Sequence, residues 1–250
     1  MTNNNMYFVA NWKMYGNQSS ISSINNVIKL TKDKKFRKIR IVYCPPFTLL
    51  RSFVEKTKNS KIYVGAQNCH YEIEYGPHTG FINSKMIKDS GSKFVILGHS
   101  ESRREGDQDK IINKKIKSAL SSNLKIIFCI GETFNEKKNN QTKFVLNKQI
   151  NVGLEKIKNF KNIIVAYEPV WSIGTGIIPK NVELIENINF IRNKLNKLKN
   201  GKKIKILYGG SVNSKNIKNL TAISEINGFI VGGASLNSKK FIDIIKKSIN

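Results

Sequence analysis

A single closed (β/α)8 barrel is the fold class this sequence predicts, and three observations carry it. Eight short apolar runs recur along the 250 residues. Longer stretches with helical periodicity lie between them. No Pro/Gly/Ser-rich linker divides the chain, so residues 1–250 read as one domain. The runs are continuous rather than alternating, as parallel strands buried on both faces require. Eight strand–helix alternations in a chain of this length have the size and count of a closed barrel.

The first run, Tyr7–Ala10, ends in Asn11-Trp12-Lys13. An open doubly wound sheet would be expected to carry a G-x-G-x-x-G turn there. A helical stretch over Ile21–Thr31 leads to the second run, Ile39–Cys44, and then to Ile62–Ala66. From Asn68 to Asn83 no helix is evident, yet the segment holds Tyr71, Ile73, Tyr75, Pro77 and Phe81. Long connections of this kind are usually functional or in contact with something. A protruding aromatic loop is most simply covered by a partner subunit, giving a homodimer through Asn68–Asn83; folding back on its own barrel is the alternative. Phe94–Leu97 runs into His99-Ser100-Glu101, which reads as a helix start, and Asp109–Ser121 is helical. Ile126–Ile130, a helix over Lys143–Lys158 and Ile163–Tyr167 follow. In the helix Val182–Leu198, Leu184, Ile185, Ile188, Ile191 and Leu195 trace one face. Ile204–Tyr208, Phe229–Val231 and a helix over Lys239–Ser248 complete the set.

Charge is the oddity of the composition: 43 Lys+Arg against 17 Asp+Glu leave a formal +26. Such an excess suggests nucleic acid first. However, arginine, the better reader of phosphates and bases, is confined to Arg37, Arg40, Arg51, Arg103, Arg104 and Arg192. A nucleic-acid surface would need a lysine stripe with interleaved aromatics on one face, whereas the lysines are scattered along the chain. A solvated lysine surface is the simpler reading, with steering of an anionic small substrate between the two. No nucleic-acid partner is expected. Cys44, Cys69 and Cys129 are widely spaced beside apolar runs, as expected of buried reduced thiols. A polar N-terminus and the lack of any long apolar span point to a cytoplasmic protein without membrane contact.

In a barrel, chemistry is expected where strands end and loops begin. Strand ends supply Asn11, Lys13, His99 and Glu168, and glycine pairs at Gly209-Gly210 and Gly232-Gly233 follow the last two strands. Two such turns on consecutive late strands suit a phosphate, whose oxygens bare backbone N–H groups can approach closely. Glu168 precedes Pro169 among Val165, Val170 and Trp171, where a raised pKa would suit a general base; a surface ion pair is the bland alternative. His99 at a helix start would be held neutral, able to donate a hydrogen bond, or else serve as a structural imidazole. Lys13 could hold an anionic oxygen or be one more surface lysine. The stretch Trp171–Gly176 reads as a lid stiff at its start and loosened by Gly174 and Gly176, or as an ordinary loop.

Six strings taken together are similar to the triosephosphate isomerase family: Asn11-Trp12-Lys13, Gly98-His99-Ser100-Glu101, Tyr167-Glu168-Pro169-Val170-Trp171, Ile173-Gly174-Thr175-Gly176, Tyr208-Gly209-Gly210-Ser211-Val212 and Val231-Gly232-Gly233-Ala234-Ser235-Leu236. They occur in the family's order from first strand to last. The resemblance implies a barrel enzyme that interconverts dihydroxyacetone phosphate and D-glyceraldehyde 3-phosphate in glycolysis and gluconeogenesis. It implies Glu168 as the base, His99 as a neutral electrophile, and Lys13 and Asn11 on the substrate's oxygens. Gly174, Ser211, Gly232 and Gly233 would grip the phosphate. Glu101 would hold Lys13, Tyr208 would latch the lid, and Thr79 would reach into the partner's site. No metal or other cofactor is expected, since a proton shuttle within one substrate needs neither. The chain departs from the family pattern at Ser102, which stands before Arg103 and Arg104, at the lid's far hinge Ile177-Ile178-Pro179, and at Gly76–Phe81.

Overall fold

Eight parallel strands in sequential order close on themselves. In the computed structural model, which describes residues 5–249, they are β1 (Met6–Asn11), β2 (Ile39–Cys44), β3 (Ile62–Ala66), β4 (Phe94–Leu97), β5 (Lys125–Ile130), β6 (Ile163–Tyr167), β7 (Lys205–Tyr208) and β8 (Ile226–Val231). The helices are α1 (Asn25–Leu30), α2 (Leu50–Thr57), α3 (Ser84–Asp89), α4 (Ser100–Arg104), α5 (Asp109–Ser121), α6 (Phe134–Lys138), α7 (Thr142–Gly153), α8 (Asn181–Asn196), α9 (Ile217–Thr221) and α10 (Ser238–Lys247).

Closure is made by β1 and β8, with Tyr7 opposite Gly228 and Ala10 opposite Val231. The side chains divide into two apolar layers, as a two-sided sheet demands. Val9, Val42, Ile96, Ile127, Ala166, Leu207 and Ile230 fill the barrel's interior cluster. Phe8, Ile41, Val95, Phe128, Val165 and Ile206 face outward, against helices such as α5, α7 and α8. Alternate residues of one continuous apolar run therefore serve the two layers.

The expected strands are all present, and β2, β3, β4 and β6 have the predicted bounds. The expected Phe229 start is corrected to Ile226, because Asn227 and Gly228 interrupt the apolar run without interrupting the ladder. A Cβ on Gly228 would lie 2.2 Å from the Tyr7 carbonyl oxygen, so only glycine fits between the closing strands. Expected helix ends also move. The stretch Ile21–Thr31 begins as a 3-10 turn over Gln18–Ile24 before α1, and α7 ends at Gly153 instead of Lys158. The segment Asn68–Asn83 has no helix. Its base is held by Asn83, whose Nδ2 donates to the carbonyls of Ile73 and Glu74, while Tyr75, Thr79 and Phe81 stand exposed.

Gly153 is where α7 meets β5 most closely: a Cβ there would lie 2.3 Å from Phe128 Cζ. Gly153→Ala should lower unfolding stability by about 1–3 kcal/mol, the usual cost of overpacking. Urea titration should show a lower midpoint at an unchanged slope.

Candidate active site

At the C-terminal mouth of the barrel, a cavity of about 250 Å³ is lined by Asn11, Lys13, His99, Glu168, Gly174, Ser211, Gly232 and Gly233. These residues come from the ends of β1, β4, β6, β7 and β8, and closure alone makes them neighbours. Of the residues singled out from the sequence, Glu101 and Tyr208 sit behind this lining. Thr79 lies on the exposed Asn68–Asn83 loop, outside the cavity.

Glu168 is 2% exposed, and its Oε2 has no hydrogen-bond partner. Burial raises its pKa, against the pull of His99, Cys129 and Lys13. The close fit around it is made by two small neighbours. A Cβ on Gly209 would lie 2.5 Å from Glu168 Cγ, and one on Gly131 would lie 1.9 Å from its backbone oxygen.

His99 caps α4: its Nδ1 accepts the Glu101 backbone N–H at 3.2 Å. That N–H can only donate, so the network assigns the ring's proton to Nε2. Nε2 stands 3.8 Å from Glu168 Oε2. A hydrogen-bond donor and an unpaired carboxylate oxygen thus face the same space.

Lys13 Nζ donates to Glu101 Oε1 at 2.7 Å. Although burial pushes Glu101 upward, that bond and the charges of His99, Lys13 and Arg104 hold its pKa below the ordinary carboxylate value. The Lys13 backbone is left-handed (φ 54°), a conformation that costs of order 1–3 kcal/mol outside glycine and collects at functional sites. It is fixed from two sides. Asn11 Oδ1 accepts the Lys13 N–H at 3.2 Å, and Gln67 Nε2 donates to the Lys13 carbonyl at 2.8 Å. Gln67 was not visible as a site residue from sequence, since its partners lie on other strands.

The glycine-rich wall is open to a ligand. A Cβ on Gly233 would meet no protein atom within 4 Å, and one on Gly232 would meet only Lys13 Cε at 3.6 Å. With φ −83°, Gly232 is not required by the backbone either. Space left free of side chains beside backbone N–H groups suits an anion. On the β7 side, Asn216 Nδ2 donates to the Ser211 carbonyl at 2.9 Å, and the Ser211 N–H donates to Ser172 Oγ at 3.3 Å.

The lid's first turn is pinned and its tip is exposed. Trp171 Nε1 donates to Glu132 Oε1 at 2.8 Å, while Lys137 Nζ lies 3.7 Å over the indole ring. Ser172 Oγ donates to the Ile177 carbonyl at 2.6 Å and lies 3.3 Å from the Tyr208 hydroxyl. Tyr208 therefore reaches the lid's base. Residues 174–177 are exposed, with Gly174 and Gly176 left-handed at φ 71° and 78°. Glu132, fully buried and also receiving the Tyr167 hydroxyl, is a second anchor that the sequence reading missed.

These contacts agree with the comparisons to known proteins. The family model described as triosephosphate isomerase matches residues 6–248. The chain belongs to the triosephosphate isomerase family. It is 41% identical to the triosephosphate isomerase of Thermodesulfovibrio yellowstonii, over 96% of this chain and 98% of the relative. With that of the yeast Zygosaccharomyces bailii it shares 40% identity, over 96% and 97% of the two chains. The crystal structure of triosephosphate isomerase from Bartonella henselae superposes with a TM-score of 0.90 at 33% identity, covering 98% of this chain and 100% of the other.

Ser102, the departure from the family's paired arginines, leaves the histidine loop braced. Arg103 Nε donates to the Gly98 carbonyl at 2.8 Å, Nη2 to the Cys129 carbonyl at 3.2 Å, and Nη1 bonds Asp109 at 2.6 Å. Among the described residues, no group of histidine, cysteine, aspartate and glutamate is arranged to hold a metal.

The raised pKa of Glu168 has a sign consequence for stability. The folded state holds this proton more tightly than the unfolded chain, so stability falls as pH rises through the folded pKa. Glu168→Gln should remove that loss: thermal melts near pH 7.5 should show a Tm equal to or above wild type.

Proposed function

We propose that Glu168, His99, Lys13 and Asn11 carry out the family's reaction, the interconversion of dihydroxyacetone phosphate and D-glyceraldehyde 3-phosphate. The observation that carries this reading is the buried, unpaired Glu168 Oε2 facing His99 Nε2 across 3.8 Å. Glu168 takes a proton from the carbon beside the carbonyl, leaving an enediolate, and returns it to the neighbouring carbon. Meanwhile His99 donates from Nε2 to the developing oxyanion and passes the proton between the two oxygens. A neutral donor suits that task, because it gains a proton as readily as it gives one. Lys13 contributes positive charge to the enediolate, and Asn11 a hydrogen bond.

Gly174, Ser211, Gly232 and Gly233 bind the phosphate through backbone N–H groups and the Ser211 hydroxyl. Glu101 positions Lys13, and Tyr208 positions the lid through Ser172. With Gly174 over the phosphate, the lid excludes water from an intermediate that would otherwise lose phosphate. No cofactor enters this scheme.

Residues 1–250 would act as one barrel domain within a homodimer formed through Asn68–Asn83. Exposed Met14, Tyr15, Tyr75 and Phe81 support that assembly. Thr79 at the loop tip would then reach the partner's site. A reducing cytoplasm fits three free, buried cysteines, and among the described residues no helix is long and apolar enough to cross a membrane.

A coupled isomerase assay should show turnover, with kcat reduced by about 10²–10⁴-fold in Glu168→Gln. Unchanged kcat in that variant would remove Glu168 from the base role. His99→Gln should lower kcat far more than it weakens a phosphate-bearing competitive inhibitor; equal losses would reduce His99 to a binding group. Sedimentation velocity should show a dimer that Phe81→Glu converts to monomer, and a monomeric wild type would retire the interface.

A further inference from the structure

Two cavities open at the opposite end of the barrel, where the strands begin. The larger, about 570 Å³, lies beside the C-terminal half of α5 and the segment between α7 and β6, and is bordered by Lys117, Lys156, Lys158 and Lys161. The smaller, about 80 Å³, lies at the starts of β1, β5, β6 and β7 and is bordered by Lys125, Lys161, Lys203 and Lys205. Lys161 and Asn162 line both, so the two form one continuous surface. Neither is lined by an aspartate or glutamate. Among the described residues, none of these seven lysines takes part in an ion pair.

The lysines are scattered in sequence because each lies near the start of a strand or the end of a helix, and the barrel gathers those positions at one end. Beneath them lies an aromatic floor. Lys205 Nζ stands 6.0 Å from the Tyr7 ring centroid, and Lys125 Nζ stands 5.5 and 5.9 Å from those of Phe94 and Tyr63. Burial lowers the pKa of Lys205, and Arg192 adds to the effect, which is the mark of an ammonium short of counter-charge. The helix C-termini here offer only about half a negative charge each, too little to balance seven lysines.

We propose that this basal surface binds an oligophosphate, a short chain of phosphoanhydride-linked phosphates. Lysine ammoniums contact such a chain as point charges, without the forked geometry that arginine brings to single phosphates and bases. Two joined cavities suit a chain of anions better than one. A single-stranded nucleic acid fits less well: Phe94 is fully buried and Tyr7 is 9% exposed, so these rings form a floor and leave no face for a base to stack on. The proposal is independent of the isomerase site, which lies at the other mouth.

The test is a calorimetric titration with inorganic tripolyphosphate at about 0.15 M salt, where diffuse surface attraction is largely screened. One variant combines Lys156→Gln, Lys158→Gln and Lys161→Gln. A control combines Lys32→Gln, Lys239→Gln and Lys240→Gln, removing the same charge from exposed positions elsewhere. Saturable binding is expected, weakened about tenfold or more in the cavity variant, equivalent to about 1.4 kcal/mol, and little in the control. Retained circular dichroism and isomerase turnover would show both variants folded. Absent saturation, or equal weakening in the two variants, would overturn the proposal, leaving only a general lysine field. Competition between tripolyphosphate and triose phosphate would overturn it by moving the binding to the other mouth. Tighter binding of a single-stranded oligonucleotide of equal charge, lost in the cavity variant, would overturn it in favour of nucleic acid.

Discussion

The pairing of β1 with β8 is the constraint on which the rest of this molecule depends. In an open sheet, Lys13 and Gly232 would lie on opposite edges. The ladder from Tyr7–Gly228 to Ala10–Val231 brings them into contact, with Lys13 Cε 3.6 Å from where a Gly232 side chain would begin. A positive charge is thereby placed beside bare backbone N–H groups. Closure also removes exposed sheet edges and lets every strand bury both faces. The joint itself tolerates only glycine at position 228.

Closure then allows a cost to be carried at the rim. A buried carboxylate with an unpaired oxygen and a left-handed lysine are both unfavourable by themselves. They persist because stiff surroundings fix them: Gly131 and Gly209 pack against Glu168, while Asn11 and Gln67 hold the Lys13 backbone. Arg103 ties the histidine loop to Gly98 and the Cys129 carbonyl on β5. Reactive groups are thus placed by residues that do not themselves face the cavity, and they do not relax in the absence of substrate.

The two mouths of the barrel carry their positive charge differently. At the C-terminal mouth, Lys13 is paired with Glu101, and the anion site is built mainly from backbone. At the N-terminal mouth the lysines have no carboxylate partners among the described residues and rest on aromatic rings. The formal +26 is therefore not an even coating. Part of it is gathered at one end by the up-strand, down-helix path of the chain.

What the sequence determined by itself was the strand order and the site residues that end strands. Both are local: an apolar run buried on two faces is continuous, and a polar residue closing it must face the rim, as with Asn11, His99 and Glu168. The start of β8 was hidden because Asn227 and Gly228 break the apolar run, and short helices such as α4 and α6 hold too few turns to show a period. Only the tertiary structure decided which groups support the site. Gln67, Glu132, Ser172 and Arg103 act through partners on other strands or across loops, at separations where no local pattern records the contact. The gathering of lysines at the base was likewise decided by closure, because residues scattered along the chain become neighbours only when the eight strand starts meet at one mouth.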